Sequence, residues 1–228
     1  MRKHIFCWLL GITIPFGAYS QKADSIFFSQ KRKLEIGVNI TSVISNFVGA
    51  AEDNVMTPGD FPVTFKILPS PKSAIRLGIG VKSINRREII APTQQEPNAQ
   101  TLINRDNTAN MRVGYEWRAH LSRRWMAYGG LDLLGGYILR QSSATAGGEV
   151  VLTRTQGTQF GAGPVYGLQF AIAPRLQLGF EGSLYVFSEN GTISTTFVNF
   201  PELSAKREFQ EYNSFLSVPK WLYLVARF

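Results

Sequence analysis

Residues 160–186 read FGAGPVYGLQFAIAPRLQLGFEGSLYV, two strand-like runs joined at Ala173-Pro174-Arg175. In the second run Leu176, Leu178, Phe180, Leu184 and Val186 share one parity; Gln177, Gly179, Glu181, Ser183 and Tyr185 share the other. Side chains alternate across a strand, so this run has one apolar face and one face carrying a carboxylate. In the first run Leu168, Phe170 and Ile172 likewise oppose Gly167 and Gln169. A two-faced hairpin of this kind fits a β-sandwich, a lipocalin-like cup or a membrane barrel. The rest of the chain must choose among them.

The same alternation recurs along the sequence. A first strand is expected over Leu34–Val43, a second over Val63–Leu68 and a third over Ala74–Ile84, where Ile75, Leu77, Ile79 and Val81 oppose Arg76, Gly78, Gly80 and Lys82. A fourth sets Met111, Val113, Tyr115 and Trp117 against Arg112, Gly114, Glu116 and Arg118. The fifth runs from Trp125 to about Leu139, with Leu131 and Leu133 facing one way and Asp132 the other. Gly129-Gly130 and Gly135-Gly136 blur its register beyond Leu133. The quoted hairpin supplies the sixth and seventh strands, and Leu216–Phe228 the eighth.

The connections alternate in length. Short turns follow the second, fourth and sixth strands, at Ser70–Ser73, His120–Arg124 and Ala173–Arg175. Long segments follow the first, third, fifth and seventh, including Asn85–Ala109, Arg140–Gln159 and Phe187–Ser214, which read as polar loops. An up-and-down barrel with every tight turn at one end and every long loop at the other shows this asymmetry, as bacterial outer-membrane barrels do. The expected fold is therefore all-β, an eight-stranded antiparallel up-and-down transmembrane β-barrel.

Which face is polar decides between membrane and water. Glycine and charge share a parity: Arg76 with Gly78 and Gly80, Arg112 with Gly114 and Glu116, Gly179 with Glu181. Small residues beside long charged ones suit the crowded lumen of a narrow barrel, whereas a solvent face has little use for strand-weakening glycine. Turning that parity inward gathers Glu35, Glu116, Asp132 and Glu181 with Lys66, Arg76, Lys82, Arg112 and Arg118. Such a lining either conducts ions or forms a structural plug of ion pairs, and the small strand number favours the plug. Outward aromatics near the turn end, Trp117, Trp125, Phe170 and Phe228, fit an interfacial girdle. Ordinary β-propensity enriches aromatics too.

Arg2 and Lys3, the apolar run Ile5–Phe16 and the small residues Ala18 and Ser20 read as a cleaved export signal over residues 1–20. That leaves 21–228 as a single outer-membrane barrel domain with strands from about 34 to 228. The only cysteine, Cys7, lies inside this signal. No later apolar run approaches the roughly 18 residues of a spanning helix. The formal charge is +8, but no basic stripe interleaved with stacking aromatics marks a nucleic-acid partner. The turn end is basic through Lys31, Arg32, Lys33, Lys72, Arg123, Arg124 and Arg175, while Glu189, Glu202, Glu208 and Glu211 make the last long segment acidic. Those bases either meet anionic lipid or are solvated turn residues.

Catalysis is not expected. Beyond the signal the chain keeps one histidine, His120, in a short turn, and shows no P-loop, zincin or nucleophile-elbow motif. No catalytic, cofactor-binding or metal-ligating residue is therefore assigned, and no cofactor is expected.

The stretch Gly167-Leu168-Gln169-Phe170, the run Ala173–Glu181 and the end Leu222–Phe228 resemble the small outer-membrane β-barrel domain family of Bacteroidota, sometimes labelled PorT-like. The resemblance implies an outer-membrane location with termini and short turns periplasmic and long loops extracellular. Phe228 resembles the aromatic end signal read by the barrel-insertion machinery, although Ala226 departs from the aromatic usual two places earlier. The partners expected on this reading are outer-membrane lipid, that machinery during biogenesis, and a surface or periplasmic protein. Three roles stay open: a structural or surface-interaction barrel, a narrow channel or small-ligand carrier, and a PorT-like accessory to secretion or envelope assembly.

Overall fold

The computed structural model describes residues 33–41, 43–44, 61–90, 100–146 and 149–228. The expected signal, Lys31 and Arg32 lie outside these residues, as does most of the connection after the first strand. The described chain is all-β. Its strands are β1 (Leu34–Asn39), β2 (Val63–Ser70), β3 (Ser73–Ile90), β4 (Gln100–His120), β5 (Trp125–Ala146), β6 (Glu149–Ala173), β7 (Leu176–Phe197) and β8 (Ala205–Arg227). Each pairs antiparallel with its sequence neighbours, and β1 pairs with β8 to close the ring. Leu34 and Phe228 exchange backbone hydrogen bonds of 3.2 and 2.8 Å at that seam.

The tight turns form as the sequence implies. Ser70 and Ser73 join hydroxyls at 2.7 Å across Pro71-Lys72. The Ser122 hydroxyl accepts the Trp125 amide at 3.2 Å. Pro174-Arg175 makes the third turn, where proline's fixed φ suits a bend and its missing N–H costs no ladder bond.

The segments read as long polar loops are corrected. Ser83–Ile90 pairs with Gln100–Asn107, Arg140–Ala146 with Glu149–Thr155, and Phe187–Thr195 with Ala205–Asn213. These are strand extensions, so β3 to β8 run 18 to 25 residues. The first strand is shorter than expected, ending at Asn39 rather than Val43. Among the described residues the ring is therefore complete only near the turn end, and six strands continue beyond it as a curved sheet.

Register decides where every side chain points. In β5 the parity holds through both glycine pairs: Met126, Tyr128, Asp132 and Ile138 are all buried, so the blurring expected beyond Leu133 does not occur. In β8 the ladder slips beside Gly182, from Glu181↔Trp221 to Ser183↔Ser217, and Pro219 lies within the irregularity. Proline cannot donate to a ladder and belongs at such a bulge.

The burial pattern is inverted relative to a soluble sheet protein. Arg76 is 0% exposed, while its neighbours Ile75 and Leu77 are 41% and 39% exposed. Outward residues include Val81, Met111, Leu131, Leu133, Phe160 and Leu216. The inside holds Glu35, Lys66, Arg112, Glu116, Arg118, Asp132 and Glu181.

Candidate functional site

Antiparallel pairing brings the inward charges together. Glu35 faces Lys66 on β2, Lys66 faces Arg76 on β3, Arg76 faces Gly114 on β4, and Gly114 faces Asp132 on β5. Because all of these share the inward parity, a band of charge winds around the inside of the ring.

The network has two tiers. Near the turn end, Arg118 forks onto Glu35, donating from Nη1 to Oε1 at 2.9 Å and from Nη2 to Oε2 at 2.6 Å. Its Nε donates to Glu116 Oε1 at 2.7 Å, and Lys66 Nζ donates to Glu116 Oε2 at 2.7 Å. Arg227 Nε lies 3.2 Å from Glu35 Oε1. In the upper tier Arg76 Nη2 donates to both oxygens of Glu181 at 2.8 Å, and Arg112 Nη1 donates to Glu181 Oε1 at 2.7 Å. Arg76 Nη1, 3.4 Å from Glu116 Oε2, ties the tiers together. Asp132 accepts the Tyr185 hydroxyl at 2.8 Å, and Glu181 accepts the Tyr128 hydroxyl at 2.9 Å.

This arrangement offsets much of the cost of burying charge, although Arg76 Nε, Arg112 Nε and Nη2 and Asp132 Oδ1 are buried without a hydrogen-bond partner. An unpaired ion in a low-dielectric interior costs several kcal/mol, and attraction repays it only with good geometry and satisfied lone pairs. Glu116 meets three bases, Lys66, Arg76 and Arg118. Rings close what the ions leave: Lys66 Nζ sits 4.3 Å from the Tyr128 ring centre, and the Arg112 guanidinium 4.4 Å from that of Phe61.

Two glycines make the room. A Cβ on Gly78 would stand 2.6 Å from Arg112 Nε, and one on Gly114 would collide with the Asp132 carboxylate. Their side of the barrel is already filled by the neighbouring charged chain.

Eight of the nine charged residues expected inside lie in this plug; the ninth, Lys82, stands beyond it at the far end. Sequence reasoning missed Arg227, Tyr128 and Phe61 as members. Arg227 has the inward parity of β8, a signal that was available, while Tyr128 sits in the glycine-blurred run and Phe61 precedes β2. His120 ends β4 beside the turn, opposite Met126.

Beyond the plug the curved sheet encloses a vestibule of about 460 Å³. At its base Gln159 Nε2 donates to Asn110 Oδ1, and Ile138 and Phe187 add apolar wall. Among the described residues no group of three or more His, Cys, Asp or Glu side chains is placed to hold a metal ion. No protein-family model, curated protein or solved structure matches this chain.

Proposed function

We propose that this chain is an outer-membrane β-barrel with a structural or surface-interaction role, its lumen closed by the ion-pair plug. The observation that carries this reading is the inversion of the faces: apolar side chains cover the outside of the ring and paired charges fill the inside. Water on the outside would leave that apolar belt exposed at a cost, whereas hydrocarbon accepts it.

Lengths agree. About 9–11 tilted residues of a strand cross a bilayer, and β3 to β8 are roughly twice that long, so their far ends stand clear as hairpins. On this reading the apolar belt ends near Val81, Met111, Phe160 and Val186. Trp125 and Phe170 pack with ring centres 4.9 Å apart and planes tilted by 49° near the turn end, where aromatic girdles meet the interface. Lys72, Arg123, Arg124 and Arg175 in the turns then face the periplasm, and the vestibule faces outside. The resemblance to small outer-membrane barrels supports the same placement.

Fractionation with heat-modifiable gel mobility tests it. Protein in the outer-membrane fraction, migrating differently unheated and boiled, is the expected result. Recovery as a detergent-independent soluble protein would overturn the proposal.

A further inference from the structure

We propose that the vestibule is a binding site for a compact zwitterion, of the amino-acid or short-peptide class. Its lining is polarised across the opening. Lys82 and Arg86 stand on β3, at one edge of the curved sheet, and Glu189 and Glu211 on β7 and β8, at the other. Asp106 and Arg140 lie between them on β4 and β5 and only loosely engage each other, at 3.8 Å. A ligand carrying an ammonium at one end and a carboxylate at the other matches both walls at once, and the lining's formal charges cancel without it.

Glu189 is the strongest pointer. It is 7% exposed, faces the vestibule, and its ionic contact is Arg140 Nη1 at 3.9 Å, beyond hydrogen-bond reach. Its side chain is largely covered by the sheet while it faces the vestibule, so a ligand ammonium could approach the carboxylate from that side. It is also paired across the strands with Glu211, a like charge placed directly opposite. Like charges in that position destabilise a sheet, and an ammonium between them would convert the repulsion into two attractions. Burial pushes the Glu189 carboxyl up from its ordinary range, Arg140 pulls it down, and Glu211 and Asp106 push it further up. Ile138 and Phe187 supply an apolar wall for a small side chain.

The site is independent of where the barrel resides, because its walls belong to the far end of the sheet. Failure of the membrane placement therefore leaves it untouched, and the reverse holds too.

Isothermal titration of the purified full chain in detergent with glycyl-leucine tests the inference, alongside its N-acetyl and C-amide forms. Glycyl-leucine should bind saturably, and each blocked form about tenfold more weakly, ~1.4 kcal/mol. Glu189→Gln should weaken glycyl-leucine but leave the N-acetyl form unchanged; Arg86→Gln should weaken glycyl-leucine but leave the C-amide form unchanged. Glu211→Gln, at an exposed side chain, carries the Glu189 expectation if the buried variant does not fold. Absence of saturable binding, or equal binding of all three peptides, would overturn the proposal.

Discussion

Arg76 and Glu181, 105 positions apart in sequence, meet inside the ring with one guanidinium nitrogen 2.8 Å from each carboxylate oxygen. Arg112 shares the same carboxylate at 2.7 Å. Removing Glu181 therefore takes a counter-ion from two buried cations at once. Glu181→Ala should lower unfolding free energy by roughly 3–5 kcal/mol, as loss of one partner from a buried pair does. Arg140→Ala breaks only the exposed contact to Asp106 and the 3.9 Å contact to Glu189, and should cost under about 1 kcal/mol. Denaturant titration of the detergent-folded variants reads both, and equal losses would show that the plug does not hold the barrel together.

Glycines on the two faces should respond oppositely. Gly78→Ala puts a Cβ 2.6 Å from Arg112 Nε and should destabilise by about 1–3 kcal/mol through overpacking. At Gly129 the nearest atom to an added Cβ is the Val165 carbonyl oxygen at 3.9 Å. Gly129→Ala should be neutral or stabilise by up to about 1 kcal/mol, because it narrows the unfolded ensemble without strain. The same titration decides, and a costly Gly129→Ala would misplace that face.

The plug should also block current. Four carboxylates and five bases fill the lumen with contacts of 2.6 to 3.4 Å. Purified protein in planar bilayers should show no steady open state. A stable conductance would mean that the charged lining carries ions.

Much of this was legible beforehand, for a physical reason. Strands between an apolar exterior and a charged lumen alternate cleanly, so Ile75 against Arg76 and Phe180 against Glu181 revealed their faces in one dimension. In sequence the far-end extensions look like loops because they lack such contrast. Asn104, Thr108, Thr153 and Gln156 are polar whichever way they point, and no apolar face marks the period. Their pairing becomes visible only when the partner strand is beside them, as Thr108 is beside Ile138. The vestibule escaped for the same reason, since Lys82, Arg86, Glu189 and Glu211 converge from strands distant in sequence.

Peptide binding in the vestibule should depend on pH in a defined direction. Glu189 titrates above the ordinary glutamate range, so as pH falls through that raised value it gains a proton and loses its attraction for an ammonium. Binding should weaken on acidification earlier than an ordinary carboxylate near pH ~4.3 would allow. The other charged side chains facing it across the vestibule are Glu211, Asp106, Arg140, Lys82 and Arg86. On the alkaline side binding should fade as the peptide amine deprotonates near pH ~8. Titration calorimetry across that range should give a bell, and a flat profile would remove Glu189 from the site.

The most direct test of the central claim is the environment of Leu133, an outward side chain 63% exposed in the isolated chain. A nitroxide attached through Leu133→Cys, in protein reconstituted into bilayers, should collide readily with oxygen and hardly with a water-soluble nickel complex. That result places the outer face of the ring in hydrocarbon. Free access of the nickel complex to Leu133 would put that face in water and contradict the membrane barrel.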